Sequence, residues 1–372
     1  FSAVFEMNEK GVIKNYWLGK TIIHSDHRFT YEDVQQTIET KDGLYLQEIL
    51  LLNDLAQTLR KERFKSGAIN FSSQEVRFKL DEKGRPIGIM VKESKEANQL
   101  IEELMLLANK TVAEHVFKIK VKGQEVPFPY RVHDQPDEEK LKPFIVFAKK
   151  YGHRFDTSSP QKIAESFNQL LLDAKGKPEQ QVLEQLGIRT MAKAVYTKDD
   201  IGHYGLAFEH YCHFTSPIRR YPDVLVHRVL ESILLQKTII DKKMEEKCKH
   251  CSERERGAME CERAGNKYKQ VEFMSLAEAR DYEGIVSGVT EWGVFVEITE
   301  TKCEGMIRVQ DMDDDYYDFD ERNMRLIGSR TKKMITLGDK VLVRVVNTDI
   351  DRRTIDLEFA DHDRKKSRPR AF

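Results

Sequence analysis

The sequence lacks several features that would assign it quickly to a class of protein. It has no apolar run of roughly eighteen residues, the length needed to cross a bilayer, and no signal-peptide pattern. Its five cysteines are an odd number without the spacing of a disulfide framework. Its formal net charge of −1 gives no global basic signature. We therefore expect no membrane span, reduced thiols in a cytoplasmic location, and only local charged patches.

Two further absences concern the start of the chain and metal binding. The chain begins at Phe1 without methionine and already in strand-like alternation, as the interior of a longer polypeptide would. Cys248, His250 and Cys251, with Cys261 further on, hint at zinc, but they lie in a helical pattern without paired CxxC elements. We therefore expect no zinc site there.

The most distinctive stretch that is present runs from His210 to Arg228 and reads HYCHFTSPIRRYPDVLVHR. Pro217 and Pro222 each fix a backbone dihedral angle and lack an N–H group, so the residues between them are predicted to form a rigid turn. Adjacent arginines on a rigid turn suit an oxyanion such as phosphate, because the guanidinium group offers paired donors and keeps its charge. A solvated basic loop is the alternative.

The pattern of apolar residues predicts an α+β protein. A hairpin is expected over residues 1–24, helices over 43–64 and 97–117, and a long helix over 237–280, a run without proline. From residue 281 the period changes to short alternating strands, which is typical of a small closed barrel of the OB type. We predict a mixed α/β domain at 1–234, a helical segment completing it at 235–279, the barrel at 280–361 and a basic tail at 362–372.

The order of residues from His210 to Arg228 resembles the signature of the ribonuclease II and ribonuclease R family, hydrolytic enzymes that degrade RNA from its 3′ end. The flanking segments Gly67–Phe71, Ile101–Asn109 and Tyr130–Pro136 are similar to its catalytic RNB-type domain in the expected order. Residues 281–362 resemble the ribosomal-protein-S-one-type OB fold that follows it. The ribonuclease R branch fits best, and the resemblance covers nearly the whole chain.

The resemblance implies roles for residues of the RNB-type domain. Arg219 resembles the arginine that neutralises the scissile phosphate, and its role would be electrostatic. Arg220 is either a second phosphate contact or an ion-pair partner of Asp223, the option that we favour slightly.

Three more residues of this domain are candidates for RNA contact. By position, Phe71 is the candidate aromatic clamp for a terminal base, with an ordinary core residue as the alternative. Tyr31 and Glu103 resemble positions that sense the ribose, because a carboxylate can accept from the 2′-OH. Glu103 also lies in a helix that is apolar nearly all round, so a structural ion pair is equally open.

In the barrel, Glu291–Val296 resembles the strand whose aromatic side chains stack on bases, with Trp292 and Phe295 as candidates. Phe295 is expected to point outward, because its neighbours supply the inward parity, although barrel core is the alternative. By strand alternation, Trp292 lies on the same side as the residues that point into the barrel. It points outward only if Gly293 bends or bulges the strand. Arg308 stands where many such barrels have a histidine, and it can still meet phosphate.

The family hydrolyses RNA with magnesium held by closely spaced aspartates, and the resemblance places those ligands upstream of Phe1. The acidic run Asp311–Asp320 is predicted to be solvated surface in a barrel loop. We therefore expect a longer, monomeric protein that degrades single-stranded or structured RNA processively from 3′ ends to nucleoside 5′-monophosphates. The chain alone is expected to bind RNA and to cut poorly or not at all. The alternative is a non-catalytic RNA-binding protein that retains the nuclease fold.

Overall fold

The computed structural model describes residues 1–71, 75–177 and 179–360. Its described residues fall into two compact units. Unit one contains most of the chain up to Gly257. Unit two takes residues from Ser73–Lys92, Ala174–Leu186 and Ala258 onward. None of the described helices combines the length and the apolar character needed to cross a membrane.

The chain begins with the expected hairpin, formed by β1 (Ser2–Met7) and β2 (Ile13–Gly19) in antiparallel pairing. Its turn is held by the side chain of Asn8, whose Oδ1 accepts from the backbone N–H groups of Lys10 at 3.0 Å and Val12 at 2.9 Å. Asparagine favours such turns because its side chain replaces a missing backbone acceptor. The hairpin prediction is confirmed.

The helices of unit one follow capping signals and apolar periodicity. Thr30 and Asp33 form a capping box at the start of α1 (Tyr31–Thr40), as their spacing predicts. Pro143 is accommodated inside α4 without ending it. The remaining helices that contribute to unit one are α2 (Leu46–Lys65), α3 (Glu96–Phe117), α4 (Glu138–Lys150), α5 (Pro160–Ala174), part of α6 (Gln180–Thr190), α7 (Tyr221–Leu234) and the first half of α8 (Met244–Ser275).

The core of unit one is built around α3 and α7. The buried apolar side chains of these two helices pack with short strands and with the start of α8. Those strands are β2, through Leu18, and β7 (Tyr130–Val132), which pairs with β8 (Val195–Thr197). The short hairpin of β5 (Lys120–Val121) and β6 (Gln124–Glu125) adds only Val121 to the edge of this core.

The long helix is shorter than the sequence predicts, since α8 covers Met244–Ser275 and not 237–280. Thr238, Ile239 and Ile240 are β-branched residues, which lower helix propensity. Asp241 then holds the helix start, because its carboxylate accepts from the Lys243 backbone N–H at 2.9 Å. The signal for the later start was therefore present in the sequence.

Unit two contains the predicted closed barrel, with strand order β10, β11, β16, β15, β9. Its strands are β9 (Asp281–Thr290), β10 (Gly293–Ile298), β11 (Glu304–Arg308), β15 (Lys340–Asp349) and β16 (Thr354–Phe359). Val294, Val296 and Ile298 are fully buried inside it. Gly293 is required at the start of β10, because a Cβ atom there would clash with the carbonyl oxygen of Ile307.

Two smaller sheets accompany the barrel in unit two. One is a hairpin of β3 (Glu75–Leu80) and β4 (Pro86–Lys92), whose turn residues Asp81–Gly84 agree with the prediction. The other inserts between β11 and β15 and contains β12 (Tyr317–Asp320), β13 (Arg325–Gly328) and β14 (Met334–Thr336). The sequence interpretation took the first part of this second sheet for a connection without strands.

Candidate nucleic-acid interface

The segment that precedes the arginine turn is anchored at successive residues. The carbonyl oxygen of Tyr211 accepts from the backbone N–H of Arg131 at 2.9 Å, and Cys212 forms a β-bridge with β7. The Tyr196 hydroxyl lies 2.7 Å from Nδ1 of His213. Residues 211–213 are therefore fixed to the core before the chain reaches the turn.

The far side of the turn is anchored by Asp223, which is fully buried in the first turn of α7. Its Oδ1 accepts from the Ser216 backbone N–H at 2.7 Å and from Nη2 of Arg220 at 2.8 Å. The ion-pair alternative for Arg220 is thus the one that the structure contains. A phosphate contact by the same guanidinium stays a prediction, and it would have to use the donors that Asp223 leaves.

Between these anchors, residues 217–219 form the turn that the prolines predict. Arg219 is exposed, and among the described residues its guanidinium has no carboxylate within ion-pairing distance. Its neighbour Ile218 is fully exposed as well. An arginine on a rigid turn, with its charge uncompensated, has the properties that binding of an external oxyanion requires.

The histidines behind the turn are kept neutral by burial. Burial, together with the positive charges of Arg220 and Arg131, lowers the pKa of His213 to about 2. Burial, together with the neighbouring His133, lowers the pKa of His203 to about 3. Both imidazoles are therefore neutral and supply no positive charge near Arg219, and His213 serves as a neutral hydrogen-bonding partner of Tyr196.

Glu103 is almost entirely buried, with 3% of its surface exposed. Its two oxygens accept from Nε of Arg63 at 3.2 Å and Nη2 of Arg63 at 2.5 Å, and Arg60 lies 3.4 Å from Oε1. The structure therefore shows Glu103 in a structural ion pair, which is one of the two alternatives for this residue. Contact with a ribose stays a prediction that requires this pair to open.

Phe71 is half-buried, and its ring centroid lies 5.8 Å from that of the buried Phe167. Phe167 in turn stacks on Phe144 at 5.5 Å. One side of Phe71 thus packs on an aromatic cluster, which would hold the ring rigid if its other side meets a base. The clamp role stays a prediction.

Tyr31 is the first residue of α1 and is 42% exposed. It lines a mostly apolar cavity of about 760 Å³ together with Phe29, Tyr45 and Ile101. Glu103 lines a different cavity, of about 160 Å³, with Arg63 and other residues. The two predicted ribose-sensing residues therefore face different spaces in this structure.

In unit two, Trp292 lies in the tight turn between β9 and β10 and is 71% exposed. Trp292 is exposed because it lies in the turn, where the alternation of inward and outward side chains along a strand does not apply. Phe295 is half-buried and packs over Gly288 of β9. Arg308 forms an ion pair with Asp356 at 2.9 Å and keeps 41% of its side chain exposed.

The acidic run is more ordered than the predicted solvated surface. Asp315 accepts from the backbone N–H groups of Arg330 and Thr331 and from the Thr331 hydroxyl, which holds the pKa of its carboxyl well below the usual range. Asp314 pairs with Lys333 at 3.0 Å. These carboxylates fix the β13–β14 connection, because Asp315 satisfies several donors of that loop and Asp314 pairs with its last residue.

Metal binding by the described residues has no support in their arrangement. Residues 1–71, 75–177 and 179–360 contain no group of three or more histidine, cysteine, aspartate or glutamate side chains placed to hold an ion. Cys248 and Cys251 are buried, whereas Cys261 is exposed. The magnesium that the resemblance implies therefore does not fit a site in these parts of the chain.

One residue of the interface escaped the sequence interpretation. Asn109 lies in α3, which is apolar nearly all round, and its side chain contacts the segment before the arginine turn. The signal was the same that singled out Glu103, namely a polar residue at a buried helical position, where it requires a partner.

A rigid arginine turn and a barrel with an exposed tryptophan together define a protein of the nucleic-acid-binding class. Residues 1–236 match the RNB domain, and residues 276–359 match the S1 RNA binding domain. The chain therefore belongs to the RNB family, with an S1 domain following the RNB domain. The predicted family and the α+β fold class are confirmed.

Among its relatives, ribonuclease R 1 of Lactococcus lactis is 36% identical over 373 residues, covering 96% of this chain and 45% of the relative. Ribonuclease R of Aquifex aeolicus is 34% identical over 372 residues, covering 97% of this chain and 52% of the relative. The chain thus spans about half the length of the curated relatives that it matches.

Among solved structures, Mycoplasma genitalium RNase R in complex with ribose-methylated single-stranded RNA superposes with a TM-score of 0.87. It is 26% identical, and the match covers 96% of this chain and 57% of that chain. Yeast Ssd1, described as a pseudonuclease, shares the fold with a TM-score of 0.61 and 20% identity, over 92% of this chain and 41% of that one.

Proposed function

We propose that the protein carrying these 372 residues is a processive 3′→5′ exoribonuclease that hydrolyses single-stranded or structured RNA to nucleoside 5′-monophosphates. The observation that carries the proposal is Arg219, an exposed and uncompensated guanidinium on a turn that is anchored to the core on both sides. Relatives named ribonuclease R over nearly the whole chain support the same activity.

The proposed work of Arg219 is electrostatic. In-line displacement at a phosphodiester places additional negative charge on the phosphate oxygens, and a guanidinium held in place before the reaction stabilises that charge without reorganising. Arg220 is proposed to have only a supporting role, because the buried Asp223 already compensates the charge of its guanidinium group. Magnesium would supply the activated water and further charge neutralisation in such an enzyme. Its ligands are proposed to lie outside residues 1–372.

RNA would reach this centre as a single strand, and the S1 domain supports RNA as the partner. Phe71 is proposed to stack on a terminal base and Trp292 on a base held by the barrel. Both assignments suit a nuclease without sequence preference, because every base offers a π-face. We also propose that the protein is monomeric and cytoplasmic.

A second function has a specific observation in its favour. A pseudonuclease shares this fold, so the fold by itself is compatible with RNA binding without cleavage. In that case the arginine turn would hold RNA and would not act on it.

The deciding experiment uses 5′-labelled single-stranded RNA with magnesium and compares the natural polypeptide that contains this chain with residues 1–372 alone. We expect the natural polypeptide to shorten the RNA stepwise from the 3′ end and to stop in chelator, whereas residues 1–372 only retard it. Arg219→Ala should lower kcat by about 10²- to 10³-fold, the loss typical of removing one electrostatic donor.

The matched control is Arg189→Ala, an exposed arginine on α6 of the same unit, which should leave the rate unchanged. Challenge with excess unlabelled RNA tests processivity, and chromatography of the products tests for 5′-monophosphates. If the natural polypeptide retards RNA but never shortens it, the RNA-binding alternative replaces the nuclease.

A further inference from the structure

The side chain of Asn109 connects helix α3 to the backbone just before the arginine turn. Its Nδ2 donates to the Tyr211 hydroxyl at 3.0 Å, and its Oδ1 accepts from the Phe214 backbone N–H at 2.9 Å. Its own carbonyl oxygen accepts from Sγ of Cys212 at 3.2 Å. One residue of α3 thus holds three residues of a segment more than a hundred positions away in sequence.

The residues that make these contacts are buried, so losing one of the hydrogen bonds is costly. Asn109 is 3% exposed, Tyr211 is 4% exposed and Phe214 is 5% exposed. Water is therefore a poor substitute for the lost partner, and an unpaired buried amide group is costly. Burial also raises the pKa of Tyr211 to about 12, so its hydroxyl stays protonated and keeps its place in the network.

The position of Phe214 determines where the turn begins. His227 of α7 lies 2.8 Å from the Phe214 carbonyl oxygen through its Nε2, while Asn109 holds the Phe214 N–H. Beyond this residue, Asp223 holds the backbone of Ser216. The backbone before the turn is thus held by both α3 and α7, and the Arg220–Asp223 ion pair holds the residue after it, so Arg219 projects from a turn fixed on both sides.

We infer that Asn109 is a positioning residue for Arg219, setting the height of the arginine turn above α3 without touching RNA. This inference rests on the proposed function and deepens it, because it identifies the buried group through which the guanidinium is held against the reacting phosphate. Displacement of a catalytic group by about 1 Å is enough to cost roughly 10²-fold in rate.

The test is a double-mutant cycle in the natural polypeptide, with kcat and the affinity for RNA measured separately. Asn109→Ala should lower kcat by about 10- to 100-fold when Arg219 is present. On an Arg219→Ala background the same change should cost less than about 3-fold, because a residue that acts through Arg219 has nothing left to position. Any loss of RNA affinity should be smaller than the loss of kcat, and it too should disappear without Arg219.

Two further variants guard against a loss that comes from folding alone. Tyr211→Phe removes only one bond of the network and should give a smaller loss with the same dependence on Arg219. Asn53→Ala removes a buried asparagine of α2 that is 7% exposed and whose Oδ1 has no hydrogen-bond partner among the described residues, and it should leave kcat unchanged. Hydrogen exchange over residues 211–220 should accelerate in Asn109→Ala and not in Asn53→Ala.

Equal loss in both Arg219 backgrounds would show that Asn109 supports the fold in general and would overturn the positioning role. Unchanged exchange over residues 211–220 would overturn it too. If the natural polypeptide never shortens RNA, the proposed function fails on its own, and the same cycle is then scored on RNA affinity. In that case Asn109→Ala should weaken binding only while Arg219 is present.

Discussion

Single buried residues decide the chemistry of the arginine turn. Asp223 matches the charge of Arg220, and Arg63 matches the charge of Glu103, so two of the charged candidates are already paired inside the fold. Arg219 remains the charge that faces outward. Breaking a buried ion pair leaves an uncompensated charge inside the fold. Substitution of these paired residues is therefore expected to lower stability more than it changes RNA binding.

The buried histidines make the stability of unit one depend on pH. The folded-state pKa of His213 lies at about 2, far below the ordinary value of 6.5. Below pH 6.5 the unfolded chain takes up a proton that the folded chain rejects, so the free energy of unfolding falls as the solution is acidified. Above pH 6.5 the group has no effect.

We therefore expect the melting temperature to drop between pH 7.5 and pH 5, and to drop less in His213→Gln. The exposed His250 of α8 provides the control, since His250→Gln should show the full drop. Thermal melts of residues 1–372 at both values measure this. An identical drop in His213→Gln and the parent chain would contradict the assignment of a neutral, buried His213.

At the scale of elements, local signals predicted most of the secondary structure. The capping box before α1, the turn chemistry of the first hairpin and the parity of the barrel strands each follow from neighbouring residues. What escaped prediction depends on distant partners. The sequence marks Glu103 as a buried carboxylate, but only the fold brings Arg63 to it, and only the fold brings Asn109 to Phe214.

The β9–β10 turn carries a prediction of its own, because Trp292 is exposed there and makes little contribution to the barrel core. Trp292→Ala should weaken the binding of single-stranded RNA by residues 1–372 by about 5- to 150-fold, the range for loss of one stacked base. The melting temperature should stay within about 1 °C, since changes at exposed positions seldom affect stability.

Tyr316 provides the matched control, as an aromatic side chain that is 87% exposed and lies just before β12. Tyr316→Ala should change RNA affinity by less than about 2-fold if stacking is confined to the β9–β10 turn. Fluorescence anisotropy with a labelled oligonucleotide measures both variants. Equal losses would mean that exposed aromatic residues of this unit bind RNA without distinction.

At the scale of the whole chain, charge balance limits how RNA is attracted. With 61 basic and 62 acidic residues, the net charge of −1 provides no general pull on a polyanion. Several arginines near the predicted sites are already paired with carboxylates, as Arg220 and Arg308 are. The electrostatic part of the proposed RNA binding would therefore come from a few identifiable cations.

This leads to a prediction about salt. The logarithm of the RNA-binding constant of residues 1–372 should fall linearly with the logarithm of salt concentration, with a slope that reflects only a few phosphate contacts. Arg219→Ala should reduce that slope by about 0.7, the value for one phosphate of a single strand. Arg189→Ala should leave it unchanged, although it removes the same formal charge. If both variants reduced the slope equally, RNA would respond to the overall charge of the chain, and Arg219 would lose its standing as a specific phosphate contact.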